Sequence, residues 1–218
     1  MLQELSQVEN SQLYEQISSQ GFTIEAIIQV GSRSVPELVD KYSDIDLLIL
    51  VSNPCVTYLC PTGYKTDTVR IHWTYVSFEE FLTTGQAQYN WKLATVNPYC
   101  YCPIGLDSLR KPLFVSAEAE TKLEKIDIQN HRYNSARHYI YQNRGYVCSV
   151  LSGGYDRSKA SKKLHYLIHS LYILKRIEDT IDWEQLLRIK RCNYAPLTES
   201  DITFINNCIL ELVEYIRD

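Results

Sequence analysis

Along the first third of the chain the apolar positions change period twice. Residues 2–19 are polar, with Leu5, Val8, Leu13 and Ile17 near helical spacing, which predicts an amphipathic helix. Phe22-Thr23-Ile24-Glu25-Ala26-Ile27-Ile28-Gln29-Val30 then reads as a buried strand that runs into Gly31-Ser32. After a short connecting segment, Asp44-Ile45-Asp46-Leu47-Leu48-Ile49-Leu50-Val51 opens with two acids that alternate with apolar residues at the start of an apolar, β-branched run, and predicts a second strand. Asn53-Pro54 ends it, because proline has no donor for a ladder. A turn-rich stretch with Pro54, Pro61 and Gly63 follows. Val69-Arg70-Ile71-His72-Trp73-Thr74-Tyr75-Val76 alternates cleanly and predicts a third strand beside the acid-bearing one. Ser77 is placed to cap a helix over 78–82.

Between Gln86 and Pro112 aromatic and turn residues alternate, among them Tyr89, Trp91, Asn97-Pro98-Tyr99 and Gly105, so irregular structure and short helices are expected. Beyond Ser116 charged residues alternate with apolar ones at helical spacing, and three longer helices are expected through Asp218. The first runs towards Asn143 and stops near Arg144-Gly145. The second opens after Ser152-Gly153-Gly154-Tyr155-Asp156, with Asp156 as its cap. The third follows Pro196 and a Thr198-x-x-Asp201 cap, and buries Ile202, Ile205, Ile209, Leu212 and Ile216 as one stripe. The pattern is that of an α+β chain, with a sheet-bearing domain over 1–115 and a helical domain over 116–218.

Composition narrows the setting. The chain has 218 residues, enough for a sizeable core. It has no apolar run of about 18 residues and no signal-peptide pattern at Met1-Leu2-Gln3-Glu4-Leu5, so a cytoplasmic protein with no membrane partner is expected. Seven cysteines are scattered without a Cys-x-x-Cys pair, which favours buried thiols over zinc or a redox couple. A formal net charge of −4 argues against a chain-wide electrostatic grip on nucleic acid, although a local basic groove remains compatible with it.

The chemistry concentrates where the second strand begins. Asp44 and Asp46 are two positions apart, so a strand aims both carboxylates at one side. Like charges this close are best tolerated around a divalent cation, and oxygen-only ligands point to Mg²⁺ or Mn²⁺. Gly31 permits close backbone approach to a phosphate, Ser32 adds a hydroxyl donor, and Arg33 adds a positive charge. On the third strand the polar face offers Arg70, His72 and Thr74, with Asp67 at its entrance. In Ser158–Tyr172, Lys162, His165 and His169 follow at i, i+3 and i+7 and share one helical face suited to a triphosphate.

Strand, Gly-Ser turn, connecting segment and a second strand opening Asp-x-Asp together resemble the DNA polymerase β-like nucleotidyltransferase superfamily. The resemblance covers roughly Phe22 to Val76. It implies a small mixed β-sheet of the polymerase β palm type followed by a helical domain. It also implies metal-assisted transfer of a nucleoside monophosphate from an NTP, such as ATP, to an acceptor hydroxyl. Asp44 and Asp46 would hold the metal, and Gly31, Ser32 and Arg33 would meet the departing phosphates. The superfamily's third metal carboxylate has no direct counterpart on the third strand, so Asp67 reaches in, His72 takes the place, or the site is degenerate. A looser resemblance, extending to about Glu178, is to predicted nucleotidyltransferases encoded beside RNA ligases, whose helix presents Lys, His and Arg to the nucleotide. Lys162 or Lys163 matches the Lys, His165 or Tyr166 the His, and His169 stands at the Arg. Arg132 and His138 also fit loosely the Arg-x(4–6)-His arrangement of HEPN ribonucleases, but Tyr133 stands where that family prefers a small polar residue. The acceptor implied is an RNA 3′ end, with a protein hydroxyl or a small molecule as alternatives. A catalytically degenerate nucleotide- or partner-binding module, or an antitoxin-like transferase acting on a protein tyrosine, is the competing expectation.

Overall fold

Strand β2 (Ile45–Val51) is buried along nearly its whole length, so it needs a strand on each side and a layer on each face. The computed structural model describes residues 7–41, 43–52, 62–65, 70–90, 108, 110–153, 163–192 and 195–217. In it β1 (Ile24–Val30) pairs antiparallel with β2 on one side and β4 (Arg70–Ser77) parallel on the other. With β3 (Thr62–Lys65) and β5 (Phe114–Val115) at the edges, the five-stranded mixed sheet has the order β3-β4-β2-β1-β5.

Alternation sorts the side chains of β2 onto two faces. Ile45, Leu47, Ile49 and Val51 pack with Ile27, Ile71, Trp73 and Tyr75, beneath Leu13 and Ile17 of α1 (Gln7–Ser18). The Tyr75 hydroxyl fastens that helix by donating to the Ile17 carbonyl at 2.7 Å. On the opposite face Leu48 and Leu50 meet Ala26, Ile28, Val30 and Val76. Phe78 and Phe81 of α2 (Phe78–Thr84) and Ala119 of α3 (Ala117–Leu123) cover them. Ser77 caps α2, its hydroxyl accepting from Glu80 N.

The third apolar cluster is built by α4 (Ile128–Gln142), α5 (Arg144–Gly153), α6 (Lys163–Lys175), α7 (Trp183–Lys190) and α8 (Glu199–Arg217). Val35 and Leu38, from the connector between β1 and β2, insert into it. The protein is thus an α+β fold in which a small mixed sheet is followed by helices.

The helical half is more divided than the expected three helices. Among the described residues six helices follow Ser116. Asp127 starts α4 by accepting from Asn130 N at 3.0 Å, which breaks the first predicted helix in two. The helix ends next to the expected stop, at Asn143, whose side chain donates to the Tyr139 carbonyl at 2.8 Å, but α5 begins at once and runs through Gly145. A mid-helix glycine costs only about 1 kcal/mol, and full burial of Val147 and Val150 in the helical core offsets it. Asp156, expected to cap the next helix, lies outside the described residues.

Candidate active site

Where β1 ends, Val30 is the register partner of Asp46, so the turn that follows begins beside that carboxylate. Gly31 has φ 70°, in the left-handed region, and starts a 3₁₀ turn over Gly31–Ser34. A Cβ on Gly31 would collide with the Asp46 carboxylate, coming within 3.2 Å of its Cγ. The Ser34 hydroxyl closes the turn by donating to the Gly31 carbonyl at 2.7 Å. Ser32 is buried, with its Oγ 3.2 Å from the Tyr166 hydroxyl of α6. Asp44 and Asp46 are both half-buried, Asp44 just before the strand and Asp46 as its second residue. The Gly-Ser turn thus stands against Asp46, one acid of the pair.

His72 is the register partner of Asp46 on β4, and its Nδ1 lies 3.7 Å from Asp46 Oδ1, too far for a hydrogen bond. Both side chains are partly open to solvent. Asp67, the alternative third acid, lies outside the described residues. Among the described residues no three His, Cys, Asp or Glu side chains gather into a metal-binding group. The donor chemistry of Asp44 and Asp46 suits Mg²⁺ or Mn²⁺. The imidazole beside Asp46 suits Mn²⁺ better than Mg²⁺, and the Asp46 carboxylate fills the space next to Gly31.

The connector from the Gly-Ser turn to the acid pair is held by polar contacts that the sequence pattern does not announce. Arg33 Nε donates to the Ser43 carbonyl at 2.9 Å, so this guanidinium spans the connector. Asp40, 2% exposed, pairs with Lys190 Nζ at 3.4 Å and Arg191 Nε at 3.1 Å, both from the end of α7. No local motif could have linked residues so distant in sequence.

On α6 the predicted basic face is arranged differently. Lys162 lies outside the described residues, and Lys163 is half-buried. His165 and His169 are 2% and 1% exposed and turn into the protein interior instead of presenting an open cationic face. His169 Nε2 lies 3.1 Å from Glu178 Oε1, and the ring meets Trp183 edge-on. Burial lowers the His169 pKa despite the Glu178 carboxylate, so the residue expected to replace a family arginine is largely neutral at pH 7. Arg132 is also buried and grips Glu178 with two nitrogens at 2.7 and 2.5 Å, while His138 is 1% exposed. The Arg132 and His138 pattern therefore belongs to the helical core. Tyr166, the alternative to His165 in the sequence pattern, reaches the Gly-Ser turn from α6.

No protein-family model matches this chain, and no curated protein is similar to it. Among solved structures, a nucleotidyltransferase-like protein from Exiguobacterium sibiricum 255-15 is similar over 95% of this chain and 73% of its own, with 15% sequence identity and a TM-score of 0.35.

Proposed function

We propose that the protein is a nucleotidyltransferase, joining a nucleoside monophosphate from an NTP to an acceptor hydroxyl with release of pyrophosphate. The observation that carries this reading is the contact of Gly31 with Asp46: a left-handed glycine, a serine and a strand-borne carboxylate are packed into one site. Each group has a distinct task. The Gly31 backbone and the Ser32 hydroxyl donate to the tail phosphates of the nucleotide, and Tyr166 backs Ser32. Asp44 and Asp46 would hold a divalent cation, which would supply positive charge for phosphoryl transfer. Lys163 at the start of α6, or Lys162 before it in the sequence, adds positive charge for the departing pyrophosphate. An RNA 3′ end is the acceptor we favour, on the resemblance alone. No helix among the described residues is long and apolar enough to cross a membrane.

A second reading has its own observation. An imidazole, and not a carboxylate, faces Asp46 from β4, which favours a nucleotide-binding module that has lost its chemistry. Incubating the protein with each α-labelled NTP, Mg²⁺ or Mn²⁺, and either an RNA pool or a cell lysate separates the readings. Labelled RNA supports the transferase on RNA, and labelled polypeptide supports a protein acceptor. NTP binding without labelled product supports the binding module. Asp44→Asn and Asp46→Asn are each expected to lower transfer by at least ~100-fold with the fold intact, the scale of removing one group that stabilises developing charge. Transfer at the parent rate in both variants rules out this site.

A further inference from the structure

Ser43, the residue before Asp44, has every polar group engaged. Its N–H donates to the Asp40 carbonyl at 3.0 Å, and its carbonyl accepts from Arg33 Nε at 2.9 Å. Its hydroxyl donates to Asp40 Oδ1 at 3.0 Å while accepting from Asp40 N at 2.9 Å and from Lys190 Nζ at 2.6 Å. One donor and two acceptors saturate a hydroxyl. Lys190 Nζ also donates to the Leu38 carbonyl at 2.6 Å and lies 3.4 Å from Asp40 Oδ1, so a single ammonium from α7 touches the connector at three residues. Asp40 and Lys190 are 2% and 10% exposed, and a buried charge left without its partner is strongly destabilising. A loop that needed only to be anchored could be held by Val35 and Leu38, which already sit in the helical core.

We infer that Asp40, Ser43 and Lys190 are positioning residues, forming a buried clamp through which the helical half sets where the Asp44 carboxylate stands relative to the Gly31-Ser32 turn. This role rests on the nucleotidyltransferase reading and adds to it a dependence on α7. The chain leaves Ser43 in a direction fixed by five hydrogen bonds, and Asp44 is the next residue. Through Arg33 the same residue is tied to the neighbour of Ser32, so the acid and the phosphate-binding turn are held at a set separation. Reacting groups misplaced by about 1 Å can lose ~100-fold in rate while binding persists.

The test compares three variants of the full-length protein. Lys190→Met removes the ammonium, and Ser43→Ala removes only the hydroxyl. Thr198→Ala removes the cap of α8, where Thr198 Oγ1 bonds to Asp201 and not to the connector. Lys190→Met and Ser43→Ala are expected to lower kcat about 10- to 100-fold with KM for the NTP within about 2-fold of the parent. Thr198→Ala is expected to lower Tm with kcat unchanged. Should Lys190→Met fail to fold, Ser43→Ala decides by the same kcat and KM split. An active parent whose Ser43→Ala and Lys190→Met variants keep its kcat overturns the clamp. So does an equal fall in kcat across all three variants, which would follow from lost stability alone. A parent that transfers no nucleotide to RNA or protein overturns the transferase reading and this role together.

Discussion

Gly31 is the position in the candidate site where one added carbon has a defined consequence. An L-residue in the left-handed region costs about 1–2 kcal/mol, and here its Cβ must also displace the Asp46 carboxylate. Gly31→Ala is therefore expected to lose at least ~1 kcal/mol of stability in urea unfolding and to weaken NTP binding, because the acid and the turn can no longer share their contact. Unchanged binding in a folded variant would show that the turn and Asp46 serve different sites. The two ends of this contact were legible in the sequence, as a glycine closing one strand and acids opening the next, but what joins them is the antiparallel register that sets Val30 opposite Asp46. The clamp at Asp40 was not legible, since its partner Lys190 lies 147 or more residues away and neither residue belongs to a motif. His169 shows the opposite limit. Its spacing placed it correctly on a helix face with His165, but periodicity cannot tell a face turned to phosphate from a face turned to Glu178 and Trp183.

At the scale of elements, clean alternation identified β4, whereas β1 and β2 showed as apolar runs because strands at the centre of a sheet are covered on both faces. The short β3 and β5 carry too few residues to show a period. Helix ends followed side-chain caps where those were present. At the start of α8, Asp201 N donates to Thr198 Oγ1 at 3.1 Å and Thr198 N donates to an Asp201 carboxylate oxygen at 3.1 Å, a reciprocal capping box. Asp201 is fully buried there and also accepts from Arg188 of α7 at 3.0 Å. Burial alone would raise its pKa, but the hydrogen bonds from Arg188, Thr198 and Gln185 hold the carboxyl far below the usual range. Thr198→Ala is expected to cost ~1 kcal/mol, the usual loss of a helix N-cap, and Asp201→Ala more, because it removes the buried acceptor shared by Thr198 N, Gln185 and Arg188. Denaturant midpoints of the two variants check the order. A smaller loss for Asp201→Ala would mean that the tie between α7 and α8 adds nothing beyond the cap. Since α7 also carries Lys190, this joint lies one helix away from the connector of the candidate site.

For the whole molecule, the buried His131 and His169 and the half-buried Glu178 shape how the fold answers acid. His131 on α4 packs against the Phe81 ring of α2 at 4.4 Å, and burial lowers its pKa from 6.5 to about 4, against the hydrogen bond at the Phe81 backbone. Between those values the unfolded chain takes a proton that the folded chain refuses, so stability falls as pH drops from 6.5 towards 4. Burial of His169 acts with the same sign. Glu178 continues the trend at lower pH. Burial disfavours its charge, yet hydrogen bonds from His169 and Arg132 outweigh burial and bring its pKa from 4.5 to about 2. Its contribution is complete above 4.5 and is lost as pH falls towards 2. The protein should therefore lose stability steadily from pH 6.5 downward, with His131 responsible for up to ~3 kcal/mol of the first part. Urea unfolding at intervals from pH 7 to pH 4 measures this. His131→Leu, which cannot titrate, is expected to show a clearly shallower fall over that range whatever its stability at pH 7. An unfolding free energy as large at pH 4.5 as at pH 7 in the parent would mean that His131 is reached by solvent and protonated within the fold, and that the contact between α2 and α4 is looser than its packing indicates.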